Sequence, residues 1–223
     1  ARVYGEDVVL EYEEPSAKVP IMVLFRCGYG KRIVFLGVLT LCQVVPMYAI
    51  YTFGPQIMTE FGLGAGQEAI LGESAVSLFF LVGTFPAMFW LNSLGRRRLL
   101  IVSLALMTIG MMILGLFPTA PALVIIAAFG LYAFFSGGPG ILQWLYPNEL
   151  FPTSVRASAV GVSIAISRLG TIAATYSLPI MLSSFCVGPT MLSASGLLPL
   201  GLVLSIFMAP ETNGKSLTEA SKL

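Results

Sequence analysis

WLYPNELFPTSVRAS, residues 144–158, decides how the chain folds. It lies between two long apolar stretches and sets Glu149, Pro152 and Arg156 within eight residues, in a chain that avoids charge almost everywhere else. A turn at a membrane surface accounts for the combination. Pro147 and Pro152 end a helix and hold the residues before them extended. Charges at a water interface escape most of the desolvation cost of mid-bilayer.

The composition on either side agrees. The chain is 57% hydrophobic and 10% charged, with a mean hydropathy of +0.89. A soluble domain carries about a quarter charged residues, so there is too little polar surface here to cover a water-soluble globule. Apolar runs of about 20 residues recur instead, long enough to cross a bilayer. The formal net charge is +1 and gives no reason to expect nucleic acid. There is no histidine, which removes the commonest general base and metal ligand. Cys27, Cys42 and Cys186 are far apart and read as small apolar side chains, not a metal or disulfide framework. GLGAG at 62–66 lacks the following lysine of a phosphate loop. No nucleophile–base pair is visible, so neither an enzyme nor a cofactor is expected.

The spacing of apolar runs predicts an all-α membrane protein with six spans, at about 33–58, 69–93, 99–117, 121–147, 157–183 and 190–209. Residues 1–32 and 210–223 are the polar flanks. Eleven of the 12 lysines and arginines fall before the first span, between spans two and three, between four and five, or after the last. The opposite loops, 59–68, 118–120 and 184–189, hold none. By the positive-inside rule both ends face the cytoplasm. On that side Glu149 and Glu211 are set against Arg96, Arg97, Arg98 and Arg156. If the helices bundle, these charges meet as a network that locks helix ends and breaks when they part. The alternative is that the arginines serve topology alone.

Three of these segments, GRRRLL (95–100), WLYPNELFPTSVRA (144–157) and PETNGKSLTE (210–219), stand in order at helix ends. Together they resemble the sugar-porter branch of the major facilitator superfamily, and the likeness runs from about residue 20 onward. The likeness extends to bacterial metabolite transporters of this branch. The resemblance implies the C-terminal six-helix half of a twelve-helix secondary transporter in the inner membrane. Residues 1–32 would then close the cytoplasmic linker from an N-terminal half, in keeping with a start at Ala1 instead of methionine. The function implied is proton-coupled symport of a sugar, sugar acid or organic anion by alternating access. A neutral-sugar facilitator, or a non-transporting sensor on the same fold, is the alternative.

The pattern departs from that of hexose carriers at two places. Asn92 stands where the family has an aspartate before Gly-Arg-Arg, which throws more of the latch onto Glu149 and Glu211. In CQVVPMYAIYTFGP (42–55), Gln43 and Pro55 match the family, whereas Pro46 replaces a glycine and Tyr48 an asparagine. Pro46 in span one and Pro139 in SGGPG (136–140) of span four are expected to break their helices. Such breaks near mid-membrane are where transporters bind and move; ordinary helix packing is the competing explanation.

Arg168, in SRLGT (167–171), is the charge that topology does not explain. It lies about 16 Å into span five by helical rise, and no acid in the chain reaches that depth. Its partner is expected to be either an anionic substrate, held by the guanidinium fork, or an acid outside this chain. Gln43, Tyr48, Gln143 and Trp144 are the remaining substrate candidates. Trp144 offers a ring face and one N–H donor, or else sits at the lipid interface. Tyr48 and Gln43, five residues apart, do not share a stripe.

Overall fold

The computed structural model describes residues 29–62, 67–185 and 187–212. Most of the expected linker, with Lys18 and Arg26, lies outside the described residues, as do Lys215 and Lys222. Among the described residues there are seven helices: α1 Gly30–Glu60, α2 Gln67–Ser93, α3 Arg96–Leu116, α4 Ala122–Leu150, α5 Thr153–Ser184, α6 Val187–Ser195 and α7 Leu197–Met208. They provide six spans long and apolar enough to cross a membrane, α6 and α7 together forming the last. Among the described residues there is no strand.

The sixth span is thus divided, where the sequence was read as one helix. The physical cause is Pro199. It has no N–H to return to the Ser195 carbonyl, so the ladder is interrupted at Gly196. The chain nonetheless stays in the right-handed helical region there, with φ −62° and ψ −23°.

Prolines elsewhere behave differently from expectation. α4 continues through Pro139 and Pro147 to Leu150, so Pro147 does not end it. Phe151 and Pro152 make the turn, with Pro152 capping α5. In α1, Pro46 lies inside the helix. The backbone leaves helical angles at Phe53 (φ −115°, ψ 15°), two residues before Pro55. Pro55 restricts the residues ahead of it and lacks the N–H that would bond Tyr51.

α1, α3 and α4 form the interior. The apolar windows of α1, α3 and α4 are 67%, 56% and 56% buried within the chain, against 17% for α2 and 22% for α5. α5 packs chiefly on α1, α2 on α4, and α3 on α4, α6 and α7. Between α3 and α4 the core is built from Leu100, Leu104, Met107, Phe129 and Tyr132. α2 and α5 keep long apolar faces outward, including Phe85, Phe89, Leu169 and Tyr176.

Glycines let these helices approach closely. A Cβ on Gly83 would overlap the Phe134 carbonyl oxygen, so α2 meets the α4 backbone directly. SGGPG is a packing node rather than a loose hinge. Gly137 lies against Thr84 of α2 and Gly138 against Ser103 of α3. Gly83→Ala is therefore expected to force α2 off α4, costing about 1–3 kcal/mol or more. The loss would appear as a lower unfolding temperature of the detergent-solubilised protein, and a small residue elsewhere on α2, such as Ala75→Gly, would not reproduce it.

Candidate functional site

A cavity of about 210 Å³ opens between α4 and α5, with α1 as its floor. α1 contributes Thr40, Val44 and Tyr48, α4 contributes Gln143 and Trp144, and α5 contributes Ser163, Ser167 and Arg168. Four of the five residues singled out for substrate binding are thereby brought together.

Arg168 has a partner within this half. Its Nη1 donates to the Tyr48 hydroxyl at 3.0 Å, and its guanidinium carbon lies 5.7 Å from the centre of the Tyr48 ring. Sequence reading named both residues but not the pair, because contact between helices 120 positions apart leaves no periodic signal. Because Tyr48 accepts from Arg168, its own O–H points elsewhere and is free to donate.

The other wall hydroxyls are already used as donors. Thr40 donates to the Leu36 carbonyl at 2.7 Å and Ser167 to that of Ile164 at 2.8 Å. Ser163 donates to Ala159 at 2.9 Å and lies 3.3 Å from the Ile33 carbonyl. Such hydroxyls turn only lone pairs to the cavity. The donors left to face a ligand are the Arg168 guanidinium, the Tyr48 hydroxyl, the Gln143 amide and the Trp144 indole N–H. Among the described residues on the wall, Arg168 is the one charged side chain. Trp144 is 62% exposed, so its ring face is open at the cavity mouth.

Gln43 is the candidate placed elsewhere. It is 2% exposed and turned into α4. Oriented to satisfy both amide atoms, it donates to the Pro139 carbonyl at 3.3 Å and accepts from the Gly140 N–H at 3.0 Å. It braces α4 beside Pro139 instead of lining the cavity.

The charged end of the bundle carries the expected network, with one member displaced. Arg96 donates through Nε and Nη2 to Glu149 Oε1 at 3.3 and 3.1 Å. The side chains of this pair are 16% and 12% exposed, so it is partly shielded from water. Thr212 donates to the other Glu149 oxygen. Glu211 accepts from the backbone N–H groups of Arg96 and Arg97 at 3.0 and 3.2 Å. It thus caps α3, placing a carboxylate on the positive end of the helix dipole. Gly95 makes this possible. Its φ of +84° favours glycine, and a Cβ there would stand 2.8 Å from Glu211 Oε2. Arg97 reaches the Ile206 carbonyl at 2.7 Å, and Tyr146 donates to that of Pro210 at 3.2 Å. Arg156 donates to the Phe151 carbonyl at 3.2 Å, so it secures the α4–α5 turn instead of a carboxylate.

Comparison with known proteins places this geometry. The family model described as "Sugar (and other) transporter" matches residues 9–223. The chain is 48% identical over 222 residues to YaaU of Escherichia coli (strain K12), a protein named for metabolite transport, covering 100% of this chain and 50% of that protein. It is 30% identical over 236 residues to the arabinose-proton symporter of Bacillus subtilis (strain 168), covering 100% of this chain and 50% of the symporter. Among solved structures, the proton:xylose symporter XylE bound to 6-bromo-6-deoxy-D-glucose superposes with a TM-score of 0.77 at 25% identity, over 90% of this chain and 44% of that one. The chain therefore spans about half the length of the relatives it matches. These relatives are transporters, not enzymes. The six apolar spans, the cavity between α4 and α5 and the charged helix ends are those of a multi-pass membrane protein, and the chain belongs to the sugar (and other) transporter family of the major facilitator superfamily.

Proposed function

We propose that this chain is one six-helix half of a secondary active transporter that moves a small organic anion, such as a sugar acid, in symport with protons. The observation that carries the anion reading is Arg168 on the cavity wall, held by Tyr48 and opposed by no acid on that wall among the described residues. A charge at such depth faces a cavity or a partner. Its fork and the neighbouring donors match a carboxylate beside hydroxyl groups. Trp144 supplies a ring face for the apolar side of the solute.

Alternating access needs a second half. The outward apolar faces of α2 and α5 fit that half at the cavity rim and lipid elsewhere, with residues 1–32 as the connecting linker. Proton coupling is supported by the relatives named as proton symporters. The excess of basic residues supports cytoplasmic placement of the charged end, and the bacterial relatives support the inner membrane.

A panel of sugars, polyols and sugar acids, screened by thermal stabilisation of the complete carrier, tests the reading. Stabilisation is expected with acids and not with the matching neutral sugars. Stabilisation by neutral sugars alone would favour the facilitator reading instead.

A further inference from the structure

At the charged end of the cavity, a second set of contacts joins α1 to the α4–α5 turn. Neither the anion site nor the carboxylate network accounts for it. Leu36 of α1, Pro147 of α4 and Val160 of α5 line the cavity. One turn further toward the charged end, the same helices carry Arg32, Leu150 and Arg156. Arg32 reaches across from α1 and donates through Nη1 to the Leu150 carbonyl at 3.2 Å. Its guanidinium carbon lies 5.6 Å from the centre of the ring of Tyr29, just ahead of α1. That ring in turn meets Phe151 edge-on, with ring centres 6.0 Å apart. Leu150 and Phe151 are each 1% exposed. Tyr29, Arg32, Leu150 and Phe151 thus form one packed layer, a turn beyond the cavity lining.

The helices on either side of this layer are held differently. α5 is keyed to α1 along its length. Ile166 enters the notch at Gly37, where a Cβ would stand 3.0 Å from it, and a Cβ on Gly170 would overlap Leu41. Ser163 also lies 3.3 Å from the Ile33 carbonyl. The Glu149 network ties α4 to α3 and to the segment after α7, whereas Arg32 ties the end of α4 to α1. The Leu150 carbonyl belongs to the last turn of α4, where the helix has no N–H left to offer it and the dipole is negative. A guanidinium satisfies both at once. Apolar packing alone would close the layer without a cation, and a cation withdrawn from water is costly unless it is bonded.

We propose that this layer is a plug closing the charged end of the cavity within this half, with Arg32 as the positioning residue that holds it shut. When Arg32 releases Leu150, guanidinium and carbonyl both bond to water instead, so the net cost of opening is modest. The α1–α5 pair stays keyed together while the end of α4 moves away from it. A solute leaving Arg168 toward the charged end passes Val160 and Leu36 and then meets this layer. The inference rests on the proposed function only in taking the cavity as the transport route, not on what the solute is. Its test uses no substrate, so its failure would leave the Arg168 reading standing, and failure of the anion reading would leave the plug standing.

The test is cysteine labelling of the complete carrier in lipid vesicles, in a background free of other cysteines. One reporter is Val160→Cys on the cavity wall, met by an impermeant thiol reagent from the side of the charged end. The other is Gln56→Cys, at an exposed position of α1 beyond Tyr48, met from the opposite side. Arg32→Gln is expected to speed labelling at position 160 by about tenfold or more, the factor to which one hydrogen bond to a charged group corresponds. Labelling at position 56 should not change. Arg32→Lys keeps a charged donor and should restore part of the protection. Tyr29→Leu removes the ring beneath the guanidinium and should give a smaller rise; if Arg32→Gln does not fold, this variant decides by the same criteria. Unchanged labelling at position 160 overturns the proposal and leaves Arg32 as a structural cap of α4. A rise at position 160 matched by a fall at position 56 overturns it too, because Arg32 would then bias the whole carrier between its two open states.

Discussion

Arg168→Ala is expected to weaken binding of an acidic substrate by roughly 30-fold or more. Arg168 is exposed in this half alone; with the substrate enclosed between this half and a second one, truncating one partner of a buried, hydrogen-bonded charge pair costs about 2–5 kcal/mol, and each 1.4 kcal/mol is tenfold in affinity. The guanidinium is the one cation on the described wall, so no neighbour takes its place. Arg168→Lys should recover part of the affinity, because it restores charge without the planar fork. Tyr48→Phe tests the support, for it keeps the ring beneath the guanidinium and removes the acceptor at 3.0 Å. A loss smaller than that of Arg168→Lys is expected, since only the orientation of the guanidinium is affected. Titration of the complete carrier with whichever acid stabilises it gives all three values. An acid bound equally by wild type and Arg168→Ala would end the anion reading.

The second large effect is expected at the charged end. Glu149→Gln removes the carboxylate from Arg96 and from Thr212 together. Hydrogen bonds to charged groups contribute about 1.5–3 kcal/mol each, and the pair is partly buried, so salt screening leaves much of that intact. If the network holds the cytoplasmic side shut, its loss shifts the population toward the inward-open state by about 10- to 100-fold. A cysteine at Val160, in the cavity wall, should then react faster with an impermeant thiol reagent applied from the cytoplasmic side. Glu211→Gln should act in the same direction through the uncapped α3. Arg156→Gln should do less, because Arg156 holds only the Phe151 carbonyl in the turn. Equal labelling in Glu149→Gln, Glu211→Gln and wild type would show that the network is not a gate.

Spans and charges were legible in the sequence because each leaves a signal along the chain. Apolar runs report bilayer thickness, and basic residues cluster at one set of helix ends. What was not legible depends on rotation about a helix axis. Gln43 was matched by register to a sugar contact, yet it faces α4 and satisfies backbone beside Pro139. Glu211 was expected opposite the arginines, but its capping of the Arg96 and Arg97 backbone N–H groups was not foreseen; a positive φ at Gly95 is what lets it approach. SGGPG was expected to break its helix at Pro139, because side-chain-free glycines beside a proline give no sign of what packs on them. Those bare positions are instead where neighbouring helices enter. The break of α1 was expected at Pro46 and occurs at Phe53, ahead of Pro55.

The Glu211 cap has a mechanical consequence. The carboxylate that finishes α3 belongs to the segment leaving α7, and Arg97 returns the hold by grasping the Ile206 carbonyl within α7. Two helices whose contacting ends lie 109 residues apart in the chain are thereby clasped at their tips, so a push on one is delivered to the other as if they were a single lever.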